Sequence, residues 1–234
     1  MKNNSYFKNY LIIGTKYFRI CVFHKSENKV IYDNKTLINN YHNQIDYDEL
    51  DNFLENNVFK IERKLNFFLK NIVLIIENDI FLKLQISVKK NYYDGKIEKD
   101  DLSYLLNEAK SLTKKSLEGQ KISHMFIEKY QIDKNDYTFF PDNLKGNHFS
   151  LDVCFITFSD KLAKEIEKVL RKYQILWIKT ISSNYINNLY PENNLNVLEL
   201  IRKLQEGINK NEVKLATKNP SKSGLFEKFF HLFS

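Results

Sequence analysis

The sequence is poor in the residues on which several large classes of protein depend. Its 234 residues include two cysteines, three prolines, six glycines and four arginines, against 32 lysines. The scarcity of glycine leaves little room for a phosphate-binding loop, and neither GxxxxGK[ST] nor GxGxxG occurs. Cys21 and Cys154 lie far apart in two apolar, strand-like runs. We interpret them as buried, reduced thiols of a cytoplasmic protein rather than as a disulfide.

Long hydrophobic runs are also missing. No window of about 18 apolar residues exists, so we expect no transmembrane helix. The first residues, MKNNSYFKNYLIIG, contain only a short apolar run and no small-residue cleavage site, which disfavours a secretory signal peptide. The composition is nevertheless 43% hydrophobic and 14% aromatic, which is enough to bury a core and argues against disorder.

The basic excess is spread along the chain. The net charge of +7 divides into +2 over residues 1–85, +3 over 86–180 and +2 over 181–234. Arginine, the preferred reader of bases, is nearly absent. This pattern indicates a lysine-rich solvated surface, and we expect no nucleic-acid partner. The exception is a set of lysines spaced by four before the last segment: Lys210, Lys214, Lys218 and Lys222.

No arrangement of side chains points to catalysis or to a metal site. The five histidines lack HxxxH and HExxH spacing, and CxxC does not occur. The acidic pair Asp100–Asp101 and the group around Asp46 fall at predicted helix starts, where the helix dipole favours carboxylates. His124 lies on an apolar strand and is interpreted as a structural histidine. We therefore predict a protein that is not an enzyme, with no catalytic residues, no metal ligands and no cofactor.

Hydrophobic periodicity predicts a mixed α/β chain. Short apolar runs predict strands over 10–13, 17–23, 29–33, 71–77, 80–88, 121–132, 149–158 and 174–181. Apolar residues at steps of three and four predict helices over 46–69, 100–117, 161–173 and 195–206. In the first helix, the predicted buried stripe runs from Leu50 to Phe68 and Leu69, and Asp100 is the expected N-cap of the second. Residues 133–147 are rich in turn residues and are predicted to form a loop.

The last eleven residues form an amphipathic segment. On a helix, the apolar side chains fall within an arc of about 160°. The predicted membrane-binding residues are Leu225, Phe226, Lys228, Phe229, Phe230, Leu232 and Phe233. The segment is too short to span a bilayer but suits a helix that lies in the membrane interface. Lys214, Lys218 and Lys222 would add electrostatic contacts with anionic lipid. The alternative is that the segment docks on the chain's own core or on a partner protein.

The order of these features resembles the FtsA family of actin-like bacterial cell-division proteins. In that family an acidic-Ile-Gly-Ser/Thr motif ends the first strand, and Ile12-Ile13-Gly14-Thr15 occupies that place here. Residues 95–134 resemble the inserted SHS2-type (1C) module. The matching positions in and after this module are His124, Tyr130, Ile132, Asp133, Pro141, Leu144 and Gly146. GLFEKFFHLF resembles the family's terminal membrane-targeting helix, and the resemblance covers about residues 8–188 plus the last dozen.

The resemblance implies an α/β (α+β) fold, in which a partial actin-like (ribonuclease H-like) subdomain 1A carries an inserted SHS2-type 1C module. A C-terminal amphipathic helix follows. The implied organisation is a partial subdomain 1A over 1–88, the 1C module over 89–175, a return strand and helix over 176–208, a linker over 209–223 and a membrane-targeting helix over 224–234.

The departures from the family concern the nucleotide site. Ile12 stands where the family has an acidic residue, and Tyr17 stands where it has a lysine, although Lys16 is adjacent. Ile12, Gly14 and Thr15 therefore form a degenerate phosphate motif that we predict does not bind phosphate. The second actin-like half, which supplies the other side of the ATP site and the docking site for the filament protein FtsZ, has no counterpart in the sequence. We expect no ATP binding, and FtsZ binding is doubtful.

Two functions agree with these features. The first is a non-enzymatic, peripheral scaffold of the division machinery at the cytoplasmic face of the inner membrane. It would recruit division proteins at the septum and self-associate through the 1C-like module. The alternative is an SHS2-containing, actin-like platform protein of type IV pilus or type II secretion assembly, which would bind the cytoplasmic tail of a membrane partner. The terminal amphipathic segment favours the first.

Overall fold

The structure, a computed structural model, describes residues 6–38, 44–77, 79–142, 144–189, 199, 203 and 209–213. Of the predicted helix over 195–206, only residues 199 and 203 are described. The elements in chain order are β1 (Phe7–Ile13), β2 (Tyr17–His24), β3 (Lys29–Leu37), α1 (Tyr47–Leu65), β4 (Asn71–Ile76), β5 (Leu82–Asn91), α2 (Lys99–Ser116), β6 (Gln120–Ile132), β7 (Asn135–Tyr137), β8 (His148–Ser159), α3 (Asp160–Lys172), β9 (Leu176–Ser182) and α4 (Ser183–Leu189).

The chain divides into two units, each formed by two separate segments of the sequence. Unit 1 comprises Met1–Phe81 with Phe158–Ile201, and unit 2 comprises Leu82–Thr157 with Arg202–Ser234. This division differs from the predicted boundaries at residues 88 and 175. β5 belongs to unit 2 because it pairs with β8 along its whole length. α3 belongs to unit 1 because its apolar face joins the core of that unit.

Unit 1 is built on a five-stranded sheet in the order β3-β2-β1-β4-β9. β1, β2 and β3 form an antiparallel meander, whereas β4 and β9 run parallel to β1. β1 and β4 are nearly continuous apolar runs, which is typical of strands that are covered on both faces. Side chains of α1 and α3 complete the core, among them Leu50, Leu54, Ile61, Ile166 and Leu170.

A single residue determines each end of α1. The Asp46 side chain accepts hydrogen bonds from the backbone N–H groups of Asp48 and Glu49, at 3.0 and 2.9 Å, and so acts as the N-cap. The helix ends at Leu65, since Asn66 adopts a left-handed conformation with φ of 59°. The predicted end at residue 69 is therefore wrong.

Unit 2 is built on a four-stranded sheet in the order β5-β8-β6-β7. α2 contributes Leu105 and Ala109 to a core that includes Phe149, Leu151 and Val153 of β8. The N-cap of α2 is Glu98 and not Asp100 as predicted. Glu98 forms a capping box with Asp101, whose carboxylate accepts the Glu98 N–H at 2.7 Å.

The predicted fold class is confirmed: the protein is a mixed α/β chain, compatible with a partial actin-like domain. Two short elements were missed by sequence analysis, namely α4 and the three-residue strand β7 inside the predicted loop over 133–147. Both cysteines are buried and neither forms a disulfide, which agrees with the prediction made from their apolar surroundings.

Candidate functional site

The carboxyl ends of β1, β4 and β9 converge at one edge of the unit 1 sheet. Ligand sites in open α/β sheets form outside this edge of the parallel strands. Here β1 leads into the turn at Gly14, β4 leads into Glu77, and β9 leads directly into α4. The Glu77 N–H donates to the Ile13 carbonyl at 3.0 Å, which fixes the end of β4 beside the turn. The degenerate motif predicted from the sequence therefore lies at the expected edge.

Tyr17 fills the turn that follows β1. The Gly14 N–H donates to the Tyr17 carbonyl at 3.0 Å, and a Cβ on Gly14 would lie 3.1 Å from a carbon of the Tyr17 ring. The Tyr17 hydroxyl donates to the Glu77 carboxylate. Burial, followed by this hydrogen bond, raises the pKa of Tyr17 well above its ordinary value. The ring and its carboxylate partner thus occupy the space beside the turn.

The charges around this turn are of both signs, and the Lys35 ammonium lies 3.9 Å from the centre of the Tyr17 ring. Glu77 and Asp79 place two carboxylates after β4, and Asp79 accepts a hydrogen bond from the Asn184 side chain at 2.9 Å. Arg19 is engaged by both oxygens of Asp33, at 2.7 and 2.6 Å. A phosphate placed beside Gly14 would have to displace the Tyr17 ring and would face the Glu77 carboxylate.

The residues of the predicted motif have different surroundings. Ile12 and Gly14 are buried, and Thr15 is half-buried. The sequence identified these three positions but missed the contact between Tyr17 and Glu77, which are 60 residues apart. The carboxylates of Glu77 and Asp79, which directly follow the buried apolar strand β4, were the sequence signal that could have pointed to this contact.

A second candidate site is an apolar groove in unit 1, at the amino ends of β4 and β9. It has a volume of about 470 Å³ and is lined by Glu55, Val58, Phe59, Glu62, Phe68, Leu69, Lys70, Lys172, Tyr173, Gln174 and Leu176. Phe59, Phe68 and Leu176 are 70%, 72% and 65% exposed. Large apolar side chains exposed side by side are typical of interaction surfaces. Phe68 was predicted to be buried, and it is exposed because α1 ends before it.

One wall of the groove is held by a charged cluster. The Tyr173 hydroxyl donates to one oxygen of Asp51 at 2.8 Å, and the Lys172 ammonium lies 2.5 Å from the other. These two hydrogen bonds lower the pKa of Asp51. The cluster ties the end of α3 to α1, so this wall is fixed in place.

The sheet of unit 2 carries a network of side chains in which positive and negative charges are paired. Lys83 pairs with Glu128 at 2.9 Å, and Lys129 lies 3.3 Å from Asp152. Burial raises the pKa of the nearby Cys154 thiol to about 12, so this thiol is unreactive near neutral pH. The charges of this network are thus paired with one another across the sheet.

The predicted membrane contacts cannot be placed. Lys214, Lys218 and Lys222 lie outside the described residues, as do Leu225, Phe226, Lys228, Phe229, Phe230, Leu232 and Phe233. No helix in the described part of the chain is long and apolar enough to cross a membrane. Within the same ranges, no group of three or more His, Cys, Asp or Glu residues is arranged to hold a metal ion.

Comparison with known proteins gives likenesses of fold alone. No family model and no curated protein matches the sequence. A type IV pilus biogenesis complex, PilM–PilN, is similar with a TM-score of 0.49 and 10% identity, over 79% of this chain and 49% of that one. The cytoplasmic domain of EpsL, an inner-membrane component of the type II secretion system of Vibrio cholerae, is similar with a TM-score of 0.40 and 8% identity, over 77% and 58%.

A third similar structure is a Bacteroides thetaiotaomicron protein with an actin-like ATPase fold and unknown function, with a TM-score of 0.36 and 12% identity, over 82% of this chain and 58% of that one. The chain thus spans about half to three fifths of the length of these structures. Because the TM-scores are all below 0.5, the likenesses establish neither a family nor a function. The two with a stated role belong to pilus and secretion systems and the function of the third is unknown, so the predicted division role gains no support from them.

Proposed function

We propose that the chain is a non-enzymatic platform protein that binds other proteins at the cytoplasmic face of the inner membrane, of the kind used in type IV pilus or type II secretion assembly. The observation that carries the proposal is the filled turn after β1. Tyr17 packs on Gly14 and donates a hydrogen bond to Glu77, at the turn whose residues resemble the first phosphate motif of the FtsA family. A domain that keeps this sheet but fills this turn is suited to binding proteins and not to hydrolysing ATP.

The groove of unit 1 is the proposed partner surface. Its floor is apolar, with Val58 and Leu69 buried, and its rim carries both acidic and basic side chains. A short amphipathic segment of a membrane partner would bury Phe59 and Phe68 and meet the rim with its polar side chains.

Attachment to the membrane is assigned to residues 224–234 on their sequence pattern. Six large apolar side chains on one face, preceded by lysines at steps of four, are typical of a helix that binds an anionic membrane interface. A division scaffold is the second candidate function, since this segment resembles the terminal helix of the FtsA family.

Photocrosslinking in living cells tests the partner surface. Phe59→p-benzoylphenylalanine and Phe68→p-benzoylphenylalanine variants are expected to give at least fivefold more adduct with an inner-membrane protein than the matched Leu37 variant. Leu37 is 79% exposed, belongs to the same unit and lies outside the groove. Equal adducts at the three positions, or none at Phe59 and Phe68, would overturn the assignment of the groove. A division protein in the adduct would favour the second candidate function.

A further inference from the structure

The outermost strand of the unit 1 sheet, β3, pairs with β2 alone in the part of the chain that the structure describes. The pairing is regular between Tyr32 and Leu37, and it skips Ile31. Asp33 and Lys35 are exposed on this regular stretch. The outer edge of such a strand presents backbone N–H and C=O groups to which a further strand can pair.

The direction of the backbone groups of β3 follows from one hydrogen bond. The Ile38 N–H donates to the Lys16 carbonyl at 2.9 Å, so the backbone groups of residue 38 face β2. Because every second residue of an antiparallel strand bonds to the same neighbour, the backbone groups of Asn34 and Thr36 also face β2. Those of Asp33 and Lys35 therefore point to the outer edge, where they are available to another strand.

The regular stretch of β3 is complementary to itself. Residues 32–36 read Tyr-Asp-Asn-Lys-Thr. When a second copy runs antiparallel with the two Asn34 residues opposite each other, Asp33 of each copy lies opposite Lys35 of the other. Tyr32 then lies opposite Thr36, and Leu37 lies outside the regular pairing. Opposite charges and aromatic–β-branched pairs are both stabilising when they face each other across two strands.

One register satisfies both the hydrogen bonds and the charges. The adjacent registers that keep the backbone groups of Asp33 and Lys35 paired place either two aspartates or two lysines directly opposite each other, and like charges in that position are destabilising. Lysine on an edge strand usually opposes pairing with another chain. Here the aspartate two residues away matches the lysine in a single register, which is the one centred on Asn34.

The charged side chains of β3 are held in place for this pairing. The Asp33 carboxylate accepts hydrogen bonds from the Arg19 guanidinium at 2.7 and 2.6 Å, which fixes its position. A carboxylate has about four acceptor sites, so Asp33 can keep Arg19 and also accept from Lys35 of a second copy. The Lys35 ammonium lies over the face of the Tyr17 ring, on the same side of the sheet as Arg19.

We propose that β3 is a self-association site, through which two copies of the chain form a symmetric dimer. The two-fold axis passes between the Asn34 residues, and the two five-stranded sheets join into one continuous sheet. Four backbone hydrogen bonds and two aspartate–lysine pairs connect the copies. The inference goes beyond the proposed function and does not depend on it, since it uses only the backbone and the charges of β3.

Sedimentation equilibrium of the full chain tests the charge pairs. Asp33→Lys and Lys35→Asp each place like charges opposite each other, and each is expected to raise the dimer dissociation constant at least tenfold. An equal mixture of the two variants is expected to recover dimers, because every charge then meets an opposite one. The matched control is Lys60→Asp, which changes an exposed lysine of α1 and is expected to dimerise like the unmodified chain.

Three results of the sedimentation experiment would overturn the proposal. The first is an unmodified chain that stays monomeric throughout the titration. The second is a pair of single variants that dimerise as well as the Lys60→Asp control, since the dimer would then use another surface. The third is a mixture that associates no better than its separate components.

Disulfide trapping tests the register and needs no change of charge. In the proposed dimer the two Asn34 residues form a pair without backbone hydrogen bonds, with Cα atoms about 4.5 Å apart, which suits a disulfide. Under mild oxidation Asn34→Cys is expected to give at least fivefold more covalent dimer than Thr36→Cys, the matched control, which faces Tyr32 and not its own copy. The native cysteines are buried. Equal trapping at the two positions, or none at Asn34→Cys, would show that β3 does not pair in this register.

Discussion

The double substitution Phe229→Glu with Phe230→Glu is expected to weaken binding of the full chain to anionic vesicles at least a hundredfold. Six large apolar side chains contributing about 1 kcal/mol each would supply about 6 kcal/mol before ordering costs. Removing two of them loses about 2 kcal/mol. Two new carboxylates beside anionic lipid add roughly 1 kcal/mol of repulsion. Since about 1.4 kcal/mol corresponds to a tenfold change in the dissociation constant, the sum of about 3 kcal/mol gives the predicted hundredfold weakening.

Co-sedimentation with phosphatidylcholine vesicles that contain about a third phosphatidylglycerol measures this effect. The matched control is Leu37→Glu with Tyr93→Glu, which removes two exposed apolar side chains and adds the same two charges elsewhere in the chain. The control is expected to bind like the unmodified protein. Binding of the Phe229 and Phe230 variant within threefold of the control would show that the terminal segment docks on the chain itself or on a protein.

Gly146→Ala is expected to destabilise unit 2 by about 3 kcal/mol, because the loop at Gly146 has no space for a side chain. A Cβ at this position would lie 2.4 Å from a methyl carbon of Ile132 and 2.9 Å from a carboxylate oxygen of Asp133. Ile132 is buried in the core of unit 2. The Asp133 carboxylate accepts the N–H groups of Asn147 and His148, both at 2.9 Å, so neither neighbour can move aside without losing contacts.

Urea unfolding, monitored by hydrogen exchange of the amides in β6 and β8, measures the free energy of unfolding of unit 2. Gly119→Ala is the matched control: Gly119 has φ of +73° but no atom within 4 Å of an added Cβ. The control is therefore expected to lose only about 1 kcal/mol for its left-handed backbone. Equal losses in the two variants would show that backbone conformation, and not the contact with Ile132, explains the need for glycine.

The elements of the fold were largely predictable because their signals are local. The apolar runs of β1 and β4 and the cap at Asp46 are encoded within a few residues. The end of α1 shows the limit of such reasoning, since the apolar period continues through Phe68 while Asn66 turns the backbone out of the helix. A single left-handed residue outweighed the periodic pattern, and it placed Phe68 in the groove instead of the core.

The assignment of each helix and strand to unit 1 or unit 2 was harder to predict, because it depends on contacts between distant segments of the sequence. The stripe on α3 indicates that one face is buried but not which sheet covers it, and the same holds for β5. The contact between Tyr17 and Glu77, the apolar groove and the bridge between Phe126 and Glu212 each combine residues far apart in the sequence. Residues 209–213 are polar apart from Val213, so no alternating pattern revealed that they pair with β6.

The central claim is that this protein works at a membrane and without nucleotide. Vesicle titration of the full chain, with and without millimolar Mg-ATP, tests this claim most directly. The filled turn at Gly14 and the amphipathic segment at 224–234 predict binding in both conditions, with dissociation constants that agree within twofold. A failure to bind, or a tenfold change in affinity on adding Mg-ATP, would contradict the claim.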